Sequence, residues 1–365
     1  MLSKIQLDRY ISEITPPDAE AMYAARKRQE SLTKPPHSLG RLEDIAVRFS
    51  GITGKVYNSI PRRRVIVFSA DNGVVAEGVA SAPQSVTLAQ TINFTRGLTG
   101  VATLARHFGC ELDVVDVGIN ADYDCPGIHR RKVAYGTGNI AEGPAMTREQ
   151  ALQAIAAGIE FAEKAKREGC DIIGIGEMGI GNTTTSSAVL SCITGLPVEI
   201  TVGRGGGVND KGFNRKREII TEAIRREAPE PSDIVGVLSA LGGFDIAAMT
   251  GAYIGAAHEK LPVVIDGYIS VVAALCAGRL APRCTEYMFA SHASYEPGYV
   301  HAINALGLKP MFDLEMRLGE GSGCPIAFEI IGAALGVQSN MGTFDEARID
   351  DEYLSEIRAD ERLQR

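Results

Sequence analysis

An apolar strand that breaks into glycines and then into a hydroxyl-rich helix start constrains this chain more than any other feature, and residues 171–185, DIIGIGEMGIGNTTT, have that form. Glycines let backbone N–H groups approach an anion closely. Asn182, Thr183 and Thr184 fall in the first turn of the following helix, where unpaired donors meet the positive end of the helix dipole. The stretch predicts a strand-loop-helix unit with a phosphate site in its loop. Two familiar spacings are present. Gly174, Gly176 and Gly179 satisfy G-x-G-x-x-G, with Glu199 as an acid about 20 residues on, which is the dinucleotide pattern. Gly176 to Thr183 has Walker A spacing with Asn182 in place of the lysine. Neither fits fully: Glu177 would set like charge against a pyrophosphate, and the Walker reading lacks its cation. A glycine turn that binds nothing stands beside both.

The rest of the chain alternates in the same manner. RVIVFS (64–69), ELDVVDVGIN (111–120), PVEITV (197–202), IVGVLSALGG (234–243), LPVVIDG (261–267) and EYMFASH (286–292) read as strands, and helical segments lie between most of them. This predicts an α/β fold with a doubly wound, mostly parallel Rossmann-like sheet. Helices are expected at 3–13 and 17–31 around Pro16 and Pro17, and after a Ser38 cap with an end at Gly51 or Gly54. A long helix through Arg106 should bury Phe94, Leu98, Val101, Leu104 and Ala105. Others are expected at 147–168 and at 212–227, where Lys211, Arg215, Lys216 and Arg217 stand beside the Gly205–Gly207 loop as a second anion-friendly corner. Asp71, Glu77, Asp116 and Asp266 fall at or after strand ends, where ligands gather in such sheets.

A net charge of -8 argues against broad nucleic-acid or membrane-surface binding, so an anionic substrate must meet local positive charge. Seven cysteines without a C-x-x-C pair read as reduced core thiols, and Cys125 and His129 lack further ligands at a metal spacing. The opening MLSKIQLDRYISEI is charged and amphipathic rather than an apolar signal core. The expected location is cytoplasmic.

Taken together, KPPHSLGRLE, SADNGVVAEGV with SAPQSVT, GEMGIGNTT, GRGGG, GGFDIAAMTGA, DGYISVVAAL, SHASYEPG and MRLGEGSG resemble the nicotinate-nucleotide:dimethylbenzimidazole phosphoribosyltransferase family of cobamide biosynthesis, over nearly the whole chain. The resemblance implies a large α/β domain over 60–300 and a smaller helical domain from 1–59 and 301–365 that contributes the catalytic Glu loop. It also implies a homodimer and phosphoribosyl transfer from nicotinate mononucleotide to a lower-ligand base. The family's catalytic carboxylate falls on Glu320. Its phosphate and ribose positions fall on Gly176, Glu177, Gly179, Ile180, Gly181, Asn182, Thr183, Gly205, Gly206 and Lys216. Its base-pocket positions fall on Ser81, Gln90, Met178 and Leu318. Departures from the family pattern are His37 for glycine, Asn72 for histidine, Gly206 for threonine and Tyr299 for histidine.

The chemistry of such a transfer suits one carboxylate. Departing nicotinate takes an electron pair onto a cationic ring nitrogen and needs no proton, so a single base suffices, with no acid partner, cofactor or metal. Leu318 and Cys324 are expected to desolvate Glu320 and lift its pKa, while Glu177 serves the sugar by favouring positive charge at C1′ or holding a hydroxyl. A dinucleotide-dependent oxidoreductase built on Gly174, Gly176, Gly179 and Glu199 is the alternative enzyme, and a base-binding protein without chemistry is the third class.

Overall fold

A computed structural model of the chain describes residues 2–354; the end of the acidic C-terminal stretch, 355–365, lies outside them. Six strands form one all-parallel sheet: β1 Arg63–Ala70, β2 Glu111–Gly118, β3 Ile128–Arg130, β4 Ile172–Met178, β5 Val263–Ile265 and β6 Met288–Ala290, in the order β3-β2-β1-β4-β5-β6. Val65, Ile66, Val67 and Phe68 of β1 and Ile172, Ile173 and Ile175 of β4 have no exposed surface, as expected of strands covered on both faces. The chain leaves β1 towards β2 and β3 on one side and returns to β4, β5 and β6 on the other. The order therefore reverses between β1 and β4, and a crevice opens outside the carboxyl ends of those two strands. Their register sets Phe68 beside Glu177 and Ser69 beside Met178.

The doubly wound sheet is as expected, but several elements differ. PVEITV is not a strand: Val198–Thr201 forms a short helix after Pro197, because β4 already pairs with β1 on one edge and β5 on the other. IVGVLSALGG is not a strand either. Ile234–Leu241 is a helix whose N-cap Asp233 accepts from Gly236 N–H (3.2 Å) and which packs against helices Arg148–Arg167 and Asn182–Thr194. A short apolar run buried all round has no periodicity to separate the two states. The single long helix through Arg106 is two, Ser85–Thr95 and Gly100–Phe108. Gly97 takes φ 74° between them, Thr99 caps the second (3.3 Å to Ala102 N), and Leu98 stands exposed instead of facing the core. Helix Arg41–Thr53 begins at Gly40 rather than at Ser38 and ends at Gly54 in the left-handed region. His129 lies on β3 rather than in a loop.

The described residues divide into two compact units, 2–15 with 62–327 and 16–61 with 328–354. Glu320 belongs to the unit that holds the sheet. Residues 2–15 join that unit because Tyr10 stacks on His258 (3.8 Å) and donates to Glu163 (3.0 Å), while Tyr287 donates to the Thr15 carbonyl (2.8 Å). In the second unit Gln338 accepts from Gln29 (3.0 Å) and donates to Ser50 Oγ (3.0 Å), and Lys34 and Glu43 form a buried ion pair (2.7 Å). His37, at a position where the family pattern has glycine, takes φ 59° in the turn before Arg41–Thr53.

Candidate active site

Past Met178 the chain turns through Gly179, Ile180 and Gly181 into helix Asn182–Thr194, with Gly181 at φ 93° as its N-cap. The turn lines a cavity of about 350 Å³ together with Ser81, Gln90, Glu177, Met178, Asn182, Thr183, Gly205, Gly206, Leu318 and Glu320. Two expected site residues stand behind the wall. The chain at Gly176 passes so close to the Glu320 backbone that a Cβ there would run into the Glu320 carbonyl, so this glycine accommodates the acidic turn rather than an anion. Lys216 is fully buried and donates to Thr183 Oγ1 (2.8 Å) and to the Gly203 carbonyl (3.3 Å), so its charge reaches the cavity through Thr183. Burial pulls its pKa down to about 8, against an upward pull from Glu296. The Ile180 N–H is already engaged by Thr87 Oγ1 (3.1 Å), whereas Ser81 donates to the Gly206 carbonyl (3.2 Å) and ties the two glycine loops together. The other cations of helix Asp210–Glu227 are partly paired with acids: Arg215 with Glu77, and Arg217 with Glu199 (3.2 Å).

Glu320 sits across the cavity on a turn in which Gly319, Glu320 and Gly321 all have positive φ (80°, 65° and 93°). Its Oε2 accepts from Val101 N–H (3.1 Å), in the first turn of helix Gly100–Phe108, and its Oε1 from Gln90 (3.4 Å). Burial raises its pKa, and these donors hold the rise in check. Cys324 is buried, and Leu318, although 59% exposed, sets its side chain beside Glu320 Oε2 against Gly100.

Glu177 is 7% exposed, and its pKa is pushed up to about 8 by burial and by Asp245. Asn182 donates from one amide nitrogen to both Glu177 Oε2 and Asp245 Oδ2 (3.0 Å to the latter). Asp245, itself raised to about 6 by burial, went unassigned on sequence although GGFDIAAMTGA displays it. Asn72 is buried beneath Gly179 and Gly181 and is not on the cavity wall, so this departure lies under the glycine turn. Tyr299 is likewise buried, and Gly206 is on the wall.

The family model described as a phosphoribosyltransferase matches residues 14–349. The chain belongs to this phosphoribosyltransferase family. It is 52% identical over 344 residues to the nicotinate-nucleotide–dimethylbenzimidazole phosphoribosyltransferase of Clostridium perfringens, covering 94% of this chain and 95% of that one. The enzyme of the same name from Ruminiclostridium cellulolyticum is 50% identical over 340 residues, covering 93% and 97%. A crystal structure under that name from Thermus thermophilus superposes with a TM-score of 0.86 at 40% identity, covering 91% of this chain and 99% of the other. The chain is thus a pentosyltransferase. The dinucleotide alternative loses the acid on which it was built: Glu199 lies in helix Val198–Thr201, paired with Arg217 (3.2 Å) and off the cavity wall.

Arg204, Tyr268, Ser294, Glu296 and Arg317 also line the cavity and were not picked out on sequence. They come from loops after Val198–Thr201 and β6, from the start of helix Tyr268–Leu280 and from the segment before Glu320, which no spacing rule connects.

Proposed function

We propose that this chain transfers the phosphoribosyl group of nicotinate mononucleotide to 5,6-dimethylbenzimidazole or a related base, giving the α-ribazole phosphate and nicotinate in cobamide lower-ligand activation. The observation that carries the reading is a buried carboxylate, Glu320, facing two glycine loops and a helix N-terminus across one cavity. The phosphate lies at Gly179–Thr183, Gly205 and Gly206, with Thr183 oriented by Lys216. One ring nitrogen of the base attacks C1′ as the C1′–nicotinate bond breaks, and the electron pair of that bond passes to the pyridinium nitrogen. Glu320 takes the proton from the other ring nitrogen. Glu177, once ionised, favours the positive charge that develops at C1′. Ser81, Gln90, Met178 and Leu318 hold the base by its faces and edges, and the thioether of Met178 adapts to several benzimidazoles. The family resemblance supports a cytoplasmic homodimer.

The test is incubation with nicotinate mononucleotide and a panel of bases, with released nicotinate and new nucleotide read by chromatography and mass. Benzimidazoles are expected to react faster than para-cresol, which lacks the second nitrogen. No nicotinate release with any base overturns the reading, and a preference for the phenol overturns the base pocket alone.

A further inference from the structure

Three consecutive residues at positive φ form an unusual turn, and Glu320, at φ 65°, carries a Cβ that makes this region unfavourable. Such a turn persists only where its surroundings hold it. Asp266, directly after β5 and 2% exposed, does so: its Oδ2 accepts from Gly321 N–H (3.0 Å) and its Oδ1 from Gly323 N–H (2.7 Å). One carboxylate thereby ties the end of the turn to the start of helix Gly323–Asn340. His292, just after β6 and 1% exposed, places Nε2 3.6 Å from Asp266 Oδ1, an ion-pair distance rather than a hydrogen bond. Its ring edge stands against Gly323, where a Cβ would meet Cδ2, and the Phe312 ring lies 6.0 Å from its centre. Burial disfavours the imidazolium, but Asp266, the Ala293 backbone and Asp313 together raise the pKa of His292. Neither Asp266 nor His292 lines the cavity, so neither is placed to touch substrate.

We propose that Asp266 and His292 are a positioning pair for the transfer: Asp266 holds the Glu320 turn in its left-handed form, and His292 keeps the Asp266 carboxylate aimed at the two amides. The pair rests on the reading of Glu320 as the base. An Asp266→Asn side chain offers one oxygen where two amides need two acceptors, and His292→Gln removes the ionic partner.

The experiment compares Asp266→Asn, His292→Gln, Glu320→Gln and the His292→Gln/Glu320→Gln double variant, with nucleotide binding by calorimetry, kcat by nicotinate release and folding by thermal unfolding. Each single positioning variant should bind nicotinate mononucleotide within about twofold of the parent and lose about tenfold or more in kcat, the scale of a misplaced reacting group. In the Glu320→Gln background His292→Gln should cost nothing further, because the group it positions is gone. If Asp266→Asn does not fold, His292→Gln decides by the same readouts. Full kcat in these variants, a loss that multiplies with that of Glu320→Gln, or a matching loss of nucleotide binding overturns the pair. An active Glu320→Gln enzyme instead overturns the reading of the base.

Discussion

One buried acid holds the backbone of the other, since Glu177 Oε1 accepts from the N–H of Glu320 (3.4 Å). Burial raises both pKa values against donors on each: Asn182 and the Glu320 amide on Glu177, and Val101 and Gln90 on Glu320. Replacing Glu320 with Gln should leave nicotinate mononucleotide binding nearly intact and lower kcat by ~10²-fold or more, the usual worth of a positioned base; full turnover in that variant rules the assignment out. Glu177 at about 8 and Lys216 at about 8 bear on pH in opposite senses. Raising the pH through 8 ionises Glu177, which helps the developing cation, and discharges Lys216, which weakens the hold on phosphate. The kcat/KM profile of the enzyme should therefore be bell-shaped around pH 8, with Glu177→Gln removing the acid-side rise near 8 and Lys216→Met removing the alkaline fall. A Lys216→Met enzyme that keeps the alkaline fall places that titration elsewhere.

At the scale of elements, β4 does two tasks that its sequence run together. Its carboxyl end feeds the glycine turn, and its Gly176 makes room for the turn that carries Glu320. Gly176→Ala separates these tasks. A methyl group driven into the Glu320 carbonyl should cost roughly 1–3 kcal/mol of stability, as overpacking does, and should displace the carboxylate, so kcat falls by at least ~10-fold with nucleotide affinity nearly kept. Thermal unfolding and calorimetry read the two effects, and a rise in KM without a fall in kcat would return Gly176 to the phosphate site. Two of the elements that differ from the sequence reading share one cause. IVGVLSAL and PVEITV are short apolar runs whose state depends on whether a sheet edge is open to them, and both edges of β4 are taken. The helix through Arg106 was read as continuous because its apolar spacing runs past Gly97, yet Thr99 opens a new helix there, and that helix start supplies the amide for Glu320.

For the whole molecule, the reversal of strand order between β1 and β4 determines where chemistry can occur, since loops from both halves of the sheet meet outside those two strands. Residues separated by more than 200 positions, Gln90 and Glu320 among them, come together there. Homodimerisation is expected at this scale: light scattering coupled to size exclusion should return twice the 38.9 kDa chain mass at micromolar concentration. A monomer that remains fully active would remove assembly from the account of the site.

Sequence alone determined the parallel α/β class, the strand-loop-helix unit at 171–185 and, through its motif blocks, the family and most of the residues on the cavity wall. These are legible because strand period, glycine turns and helix starts are local, and because the blocks keep their order along the chain. Tertiary structure alone decided which of those residues face the cavity. Gly176 and Lys216 carry the right residue types at the right spacing, but one backs the Glu320 turn and the other lies buried behind Thr183. Asp266 is legible only as a strand-end acid, and Asp245 and His292 only as members of motif blocks; their partners come from distant strands and loops. Burial by those distant segments also sets the charge of Glu177, Lys216 and Glu320, since the cost of removing an ion from water depends on everything packed around it and not on its neighbours in the chain.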